Sequence, residues 1–241
     1  MLKKINLEKV LFLDIETVPS VAKFTDLTKK FRSLWEKKAE QIQRFDEKST
    51  PDELYKRAGI YAEFGKVICI SCGIIAGSEL RIKSFFGDDE KTLLGEFADL
   101  LNNYYNKEHH LLCAHNGKEF DFPYLSRRML VKGIKLPDIL NLAGKKPWEV
   151  RHLDTMELWK FGDFKYYTSL DLLTTLFDIP TPKDDIDGSM VGDIYWVEKD
   201  IERIVQYCQK DVVALVQLMM KYLGRPLFRE EDIMVKDQET G

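Results

Sequence analysis

The sequence predicts an α/β fold in which helices flank a mixed β-sheet. Apolar or alternating segments at residues 9–16, 66–76 and 80–86 are typical of three consecutive strands. The short link Gly77-Ser78 favours an antiparallel hairpin between the second and third strands. Helix-like and strand-like segments then alternate along the chain, which is the pattern of a sheet covered by helices.

The remaining elements follow from apolar spacing and form a single domain over residues 1–228. They are a helix over 89–105, a strand at 111–115, a helix over about 121–132, a strand near 150–156, a helix over 169–177 and a helix from about 198 to 222.

Two segments depart from this pattern. Residues 20–62 are charged and helix-prone, and we expect a helical insertion that covers one edge of the sheet. A flap beside the functional site is the alternative. Residues 229–241 are polar, and we expect a frayed C-terminal tail.

The composition is that of an ordinary globular protein. Of 241 residues, 44% are hydrophobic and 32% are charged, which is enough to build a sizeable core. The formal net charge of −4 counts against a generally basic nucleic-acid-binding protein, although a local basic patch could still contact nucleic acid. The apolar run Val10-Leu11-Phe12-Leu13 is too short for a signal core or a membrane span. We expect a cytoplasmic protein without a membrane partner.

The four cysteines are expected to be structural. Cys69 and Cys72 have the spacing of a redox or zinc pair, but they lie in a predicted strand. Residues three apart on a strand point to opposite faces, so these two thiols could not readily share a metal ion.

Asp14 and Glu16 are the first candidate site residues. They end a buried strand and, being two apart, project from the same face. Carboxylate oxygens at such a place are ligands that hard cations favour. The pattern Asp-x-Glu also occurs elsewhere in the chain, but only this copy follows an apolar run, where paired carboxylates are costly without a partner.

Two further carboxylates lie in suggestive contexts. Asp121 follows a predicted strand and a Gly-containing turn, at a place where a helix N-terminus would equally explain an aspartate. Tyr207 and Asp211 are four apart and share one face of the last helix. The same spacing at Tyr167 and Asp171 is interpreted as a first-turn aspartate.

Together these segments resemble the DEDD superfamily of 3′–5′ exonucleases, which have a ribonuclease H-like fold. Leu13-Asp14-Ile15-Glu16-Thr17 looks like the first motif, and Asn116-Gly-Lys-Glu-Phe120-Asp121 looks like the second, in the form found in proofreading domains of family B DNA polymerases. Tyr207-x-x-x-Asp211 looks like the third motif of the tyrosine subclass. The resemblance covers the chain from about residue 9 to 222, and we expect no polymerase domain after it.

The resemblance implies a site with two divalent cations, Mg²⁺ or Mn²⁺, held by Asp14, Glu16, Asp121 and Asp211. Asp14 would contact both ions, Glu16 and Asp211 one of them, and Asp121 the other. Tyr207 is assigned to orienting the attacking water, because its ordinary pKa near 10 makes it a poor base. Thr17, Asn116, Lys118 and Phe120 are the expected substrate-binding residues, with a turn-stabilising role as the alternative for Asn116.

Several neighbouring residues are weaker candidates. Phosphate contacts are considered for Lys118, Arg127, Arg128, Lys132 and Lys135, with a solvated helix face as the alternative for the last four. His115 and His152 are expected to pack or hydrogen-bond rather than bind metal. Asp154 is considered as a group that supports the site from behind.

The expected activity is metal-dependent release of 5′-mononucleotides from the 3′ end of single-stranded DNA. An exoribonuclease of the same fold is the main alternative, since the sequence identifies no pocket for or against a 2′-hydroxyl. Two further alternatives are a phosphatase of the haloacid dehalogenase type and a non-catalytic nucleic-acid-binding module. The phosphatase would leave Asp121, Tyr207 and Asp211 without a role.

Overall fold

A computed structural model describes residues 5–44, 49–163, 167–180 and 186–236. Its centre is a six-stranded sheet with the strand order β5-β4-β1-β2-β3-β6. The strands are β1 (Val10–Pro19), β2 (Gly65–Ala76), β3 (Glu79–Phe86), β4 (Leu111–Ala114), β5 (Leu153–Asp154) and β6 (Ile233–Lys236).

Helices cover both faces of this sheet. They are α1 (Lys29–Gln43), α2 (Pro51–Tyr55), α3 (Glu90–Tyr104), α4 (Asp121–Val131), α5 (Thr155–Lys160), α6 (Leu170–Leu176), α7 (Val191–Asp193) and α8 (Ile201–Tyr222). Leu11 and Leu13 of β1 pack towards α3 and α4, whereas Val10 and Phe12 pack towards α8. Within the described ranges, no helix is both long and apolar enough to cross a bilayer.

The strand directions confirm the predicted mixed sheet. β1 pairs antiparallel with β2, and β2 pairs antiparallel with β3. β4 runs parallel to β1, and β5 runs parallel to β4. The strands therefore form the predicted ribonuclease H-like arrangement of three antiparallel strands followed by parallel crossovers.

Two predicted elements are shorter than expected. The strand predicted near 150–156 is only β5, because the Asp154 side chain accepts hydrogen bonds from the N–H groups of Met156 (3.0 Å) and Glu157 (3.2 Å) and so begins α5. The last helix begins at Ile201 rather than at about 198, since Lys199 has a left-handed φ of 61° that interrupts it.

The prediction of a frayed tail over 229–241 is wrong for its first part. Residues 233–236 form β6, which pairs in parallel with Leu80–Lys83 of β3. The Gln217 side chain holds the approach to this strand, since it donates to the Phe228 carbonyl (2.7 Å) and accepts from the Phe228 N–H (3.0 Å). Residues 237–241 lie outside the described part of the chain.

The described part of the insertion, which leaves out residues 45–48, packs elsewhere than on an outer strand of the sheet, so that prediction is wrong as well. The edges of the sheet are β5 and β6, whereas the insertion packs against the C-terminal end of β1. Its own small core surrounds the fully buried Trp35. The backbone at Gly59 is anchored by the Tyr124 hydroxyl of α4, which donates to its carbonyl at 2.7 Å. The insertion thus lies beside the predicted site.

The cysteines occupy the positions expected of structural residues. All four are free and buried. Cys69 lies in a cluster with Cys208 on the α8 side of the sheet, and Cys72 lies in the core on the α3 side. The two thiols point to opposite faces of β2, as predicted.

Candidate active site

Asp14 and Glu16 project from β1 on the side that faces α8. They continue the face of Val10 and Phe12, because side chains two apart on a strand point the same way. The register between β1 and β2 shifts between Glu16 and Thr17, so the regular ladder is interrupted directly after the second carboxylate.

Both carboxylates are held in an unfavourable environment for a charge. Burial raises the pKa of Asp14 well above its ordinary value, and Glu16, Asp211 and Asp121 raise it further. Burial also raises the pKa of Glu16, with Asp211 as the largest carboxylate contribution. Within the described part of the chain, no cation contributes to the pKa of either carboxylate.

The second motif brings Asp121 to the same place. Asp121 is the first residue of α4, is 3% exposed, and accepts a hydrogen bond from the backbone N–H of Ile15 on β1. Burial raises its pKa to about 8, with backbone hydrogen bonds opposing the rise and Asp154 adding to it. An aspartate is favourable at the N-terminus of a helix, which accounts for the residue type at position 121. The hydrogen bond from the Ile15 N–H places its carboxylate beside the first motif.

The loop before Asp121 is held by Asp154. The Asp154 carboxylate accepts from the N–H groups of Asn116 (3.0 Å) and Lys118 (3.1 Å), besides capping α5. Asn116 has a left-handed φ of 64°, and its buried Oδ1 has no hydrogen-bond partner among the described residues. At Gly117 an added Cβ would lie 2.3 Å from the Ala114 Cβ, so only glycine fits. Asp154 therefore positions the second motif, consistent with its predicted supporting role.

Tyr207 and Asp211 complete the cluster from α8. The Tyr207 hydroxyl is hydrogen-bonded to the Asp211 carboxylate. Burial, followed by Asp211, Glu16 and Asp14, raises the pKa of Tyr207 far above its ordinary value. The hydroxyl therefore keeps its proton and acts as a hydrogen-bond donor.

Cys208 also belongs to this cluster, and our sequence analysis placed it only in the apolar stripe of α8. Its Sγ lies 3.3 Å from Oδ2 of Asp14. Burial raises the pKa of this thiol well above its ordinary value, so it contacts Asp14 as a neutral donor. Its position next to Tyr207 is a sequence signal that could have revealed it.

These residues line one cleft with a volume of about 700 Å³. Of the predicted site residues, it contains Asp14, Glu16, Thr17, Asn116, Phe120, Asp121, Tyr207 and Asp211. Tyr167 and Asp171 line it too, although Asp171 lies in the first turn of α6, as predicted. The insertion contributes Lys56, Arg57, Gly59 and Ile60.

Lys118 is the predicted substrate-binding residue that the structure places elsewhere. It is not among the residues around the cleft, and its Nζ lies 2.5 Å from the carboxylate of Glu157. Because this ion pair occupies the ammonium group, we do not retain Lys118 as a substrate contact.

Two other candidate phosphate contacts have structural roles. Arg128 is buried and forms two hydrogen bonds to the Glu90 carboxylate, at 2.7 and 2.8 Å. Lys132 lies 3.0 Å from the same carboxylate. Both cations therefore help to hold α3 against α4.

The two histidines behave as predicted. His115 bonds to the Thr155 hydroxyl (2.9 Å) and the Thr168 carbonyl (2.8 Å), and burial lowers its pKa. His152 contacts the Ile139 carbonyl at 2.9 Å, and burial lowers its pKa to about 4. Both ring nitrogens of His115 are engaged in hydrogen bonds, and neither histidine is part of the carboxylate cluster.

Comparison with known proteins agrees with this architecture. Residues 60–231 match the model of a family described as predicted 3′–5′ exonucleases related to the exonuclease domain of PolB. This match includes Asp121, Tyr207 and Asp211, whereas Asp14 and Glu16 precede it.

Two DNA polymerases are also similar to this chain. A DNA polymerase of Pyrococcus glycovorans is 23% identical over 155 residues, which is 59% of this chain and 19% of the polymerase. The family B DNA polymerase of Pyrobaculum calidifontis superimposes with a TM-score of 0.54 at 17% identity, covering 89% of this chain and 24% of the polymerase. The chain thus spans about a quarter or less of these relatives, and the superposition demonstrates the shared fold. The family match covers most of the chain, and the fold is shared with the superimposed family B polymerase. The chain therefore belongs to the family of predicted 3′–5′ exonucleases related to the exonuclease domain of PolB.

Proposed function

We propose that this protein is a metal-dependent 3′–5′ exonuclease that hydrolyses single-stranded DNA to 5′-mononucleotides. The observation that carries the proposal is the set of four carboxylates from β1, α4 and α8 around one cleft, with mutual repulsion and burial raising the pKa of Asp14 and Glu16. A buried cluster of this kind is destabilising without a counter-charge. Divalent cations would supply it.

The donor set suits two hard cations, Mg²⁺ or Mn²⁺. Ligand atoms of Asp14, Glu16 and Cys208 lie within 4.8 Å of one another, but the protonated thiol is a poor ligand for a hard cation. In this proposal Asp14 would contact both ions, Glu16 and Asp211 would hold one, and Asp121 would hold the other. When bound, such a pair supplies the Lewis acidity that phosphodiester hydrolysis requires.

The side chains around the ligands have separate roles in this proposal. Tyr207, which keeps its proton, orients the attacking water through its hydroxyl. Asn116 lines the cleft, and its buried Oδ1 has no hydrogen-bond partner among the described residues, so we assign Asn116 to contact with the terminal nucleotide. Thr17 and Phe120 line the cleft beside the two motifs and provide further contacts with substrate.

The proposal is tested by incubating the protein with end-labelled single-stranded DNA and RNA, each with Mg²⁺, Mn²⁺ or EDTA. We expect mononucleotides to be released from the 3′ end of the DNA with either metal and none to be released in EDTA. Asp211→Ala should abolish release, and Asp99→Ala, which removes an exposed acid on α3, is the matched control. Preferential RNA degradation would point to an exoribonuclease. Failure with both polymers, together with hydrolysis of a small phosphomonoester, would reject the exonuclease.

A further inference from the structure

The cleft has a strong imbalance of charge. Among the described residues around it, five carboxylates face two cationic side chains, Lys56 and Arg57. The carboxylates are Asp14, Glu16, Asp121, Asp171 and Asp211. His115 adds no positive charge at neutral pH, because burial lowers its pKa. A polyanionic strand that enters this cleft therefore meets positive protein charge mainly on the insertion.

Lys56 and Arg57 are also free to meet a ligand. Both side chains are exposed, and neither has an ion pair within the described ranges. By contrast, three of the five cations predicted as phosphate contacts are engaged with acidic partners, Arg128 and Lys132 with Glu90 and Lys118 with Glu157. The other two, Arg127 and Lys135, are not among the residues around the cleft. Of the described residues around the cleft, the available cations are thus those of the turn that follows α2.

This turn is fixed relative to the carboxylates. An added Cβ at Gly59 would lie 3.0 Å from backbone atoms of Val18 and 3.1 Å from the Thr17 carbonyl oxygen. The turn therefore packs directly on the part of β1 that follows Glu16. The Tyr124 hydroxyl of α4 donates to the Gly59 carbonyl and holds the turn from the other side. Because the backbone is anchored, the two cations are held beside the site at little cost in chain entropy.

We propose that Lys56 and Arg57 bind backbone phosphates of the nucleic-acid strand, so that the insertion forms the strand-binding wall of the cleft. The inference rests on the proposed function and names how the same site holds its polymer substrate. Ile60, 49% exposed on the same turn, adds an apolar contact beside the phosphates. Lys56 and Arg57 lie in the insertion and precede the segment that matches the family model.

Affinity for a labelled oligothymidylate, measured by fluorescence anisotropy with Mn²⁺, tests this proposal. An Asp211→Asn background prevents degradation during the measurement. Lys56→Ala/Arg57→Ala should weaken binding at least about tenfold, since each charged hydrogen bond to a phosphate is replaced by water. The slope of log affinity against log salt should become shallower by about 1.4, from about 0.7 for each phosphate contact on a single strand.

Two control variants show whether weaker binding comes from the loss of charge or from misfolding. Lys37→Ala removes an exposed cation on α1, away from the cleft, and should bind like the parent. Lys56→Arg/Arg57→Lys keeps both charges and should retain most of the affinity, which a loss caused by misfolding would not allow. Equal affinity and equal salt slope for the alanine pair and for Lys37→Ala would overturn the proposal.

A separate measurement keeps this result distinct from the proposed function. The wild-type protein is assayed for Mn²⁺-dependent hydrolysis of the p-nitrophenyl ester of thymidine 5′-phosphate, which has no strand to bind. If this hydrolysis occurs while the alanine pair binds the strand normally, the exonuclease proposal stands and the strand-binding wall is rejected. If neither this ester nor the end-labelled polymers are hydrolysed while the alanine pair loses affinity, the wall stands as a nucleic-acid-binding surface and the exonuclease is rejected.

Discussion

Two buried acidic regions of this molecule have opposite electrostatics. Glu90, at the start of α3, is 2% exposed, and Glu16 in the cleft is 8% exposed. Burial alone would raise the pKa of Glu90, but hydrogen bonds from Arg128 and the Val67 N–H outweigh it and lower the pKa. Among the described residues, no such cation acts on Glu16, whose pKa is raised by burial and by Asp211. Removing one partner of a compensated buried acid leaves an unpaired buried charge, whereas an uncompensated cluster is relieved by losing a charge or by binding a proton or a cation.

The largest effect should come from removing a charge in the uncompensated region. We expect Asp14→Asn to lower exonuclease turnover about 10³-fold or more, because a metal ligand accounts for several kcal/mol of transition-state stabilisation. The melting temperature in EDTA should rise, since repulsion among the carboxylates is relieved. Turnover assays and thermal melts with and without Mn²⁺ measure both quantities. A variant with normal turnover would show that the cluster is not the active site.

The same type of change in the compensated region should do the opposite. Glu90→Gln leaves Arg128 and Lys132 without their carboxylate and should destabilise the protein by about 3–5 kcal/mol. The folded fraction should keep its specific activity, because Glu90 does not line the cleft. Chemical denaturation and assays well below the melting temperature test this pair of expectations. If Glu90→Gln left stability unchanged and abolished turnover, Glu90 would have a functional role and the contrast with the carboxylates of the cleft would be wrong.

Tyr207→Phe should have an intermediate effect. The phenyl ring still packs on α8, so the melting temperature should hardly change, whereas loss of the donating hydroxyl should lower kcat about tenfold to a hundredfold. The affinity for Mn²⁺ should stay close to the wild-type value, because the four carboxylates are intact. Turnover, melting temperature and metal titration on this variant separate the cases. Full activity would refute the water-orienting role.

The smallest effect should be a dependence of the metal-free melting temperature on pH. The pKa of Asp121 is about 8 in the folded state against an ordinary value of 3.8, so its stabilising contribution is complete at low pH and is lost as the pH rises through about 8. The melting temperature in EDTA should therefore fall as the pH rises from 6.5 to about 8, and the contribution of Asp121 to this fall should end above about pH 8. His152 does not interfere, because its lowered pKa of about 4 affects stability only below about pH 6.5.

Saturating Mn²⁺ should reduce the fall of the melting temperature with rising pH, because a bound cation neutralises the carboxylates without a proton. Asp121→Asn should weaken the decline in EDTA, whereas Glu90→Gln should leave its slope unchanged. A melting temperature that rises with pH in EDTA would contradict the raised pKa values of the cluster.

Local patterns predicted most of the fold and the carboxylates of the site. The apolar run before Asp14 and the helical spacing of Tyr207 and Asp211 are encoded within short segments, and the structure brings both to one cleft. Contacts between distant segments could not be predicted in this way. Short sequence patterns do not reveal that the insertion packs on β1 or that the Cys208 thiol contacts Asp14. They also do not reveal that Glu90 pairs with Arg128 and Lys132.

The sixth strand has a consequence for how the protein behaves in concentrated solution. β6 covers the backbone of β3 along Leu80–Lys83, which would otherwise offer unpaired N–H and C=O groups at the end of the sheet. Such an open rim is a template for pairing with a second molecule. A chain shortened before Ile233 is therefore expected to self-associate by sheet extension, and its aggregation state should be measured before its catalytic rate is interpreted.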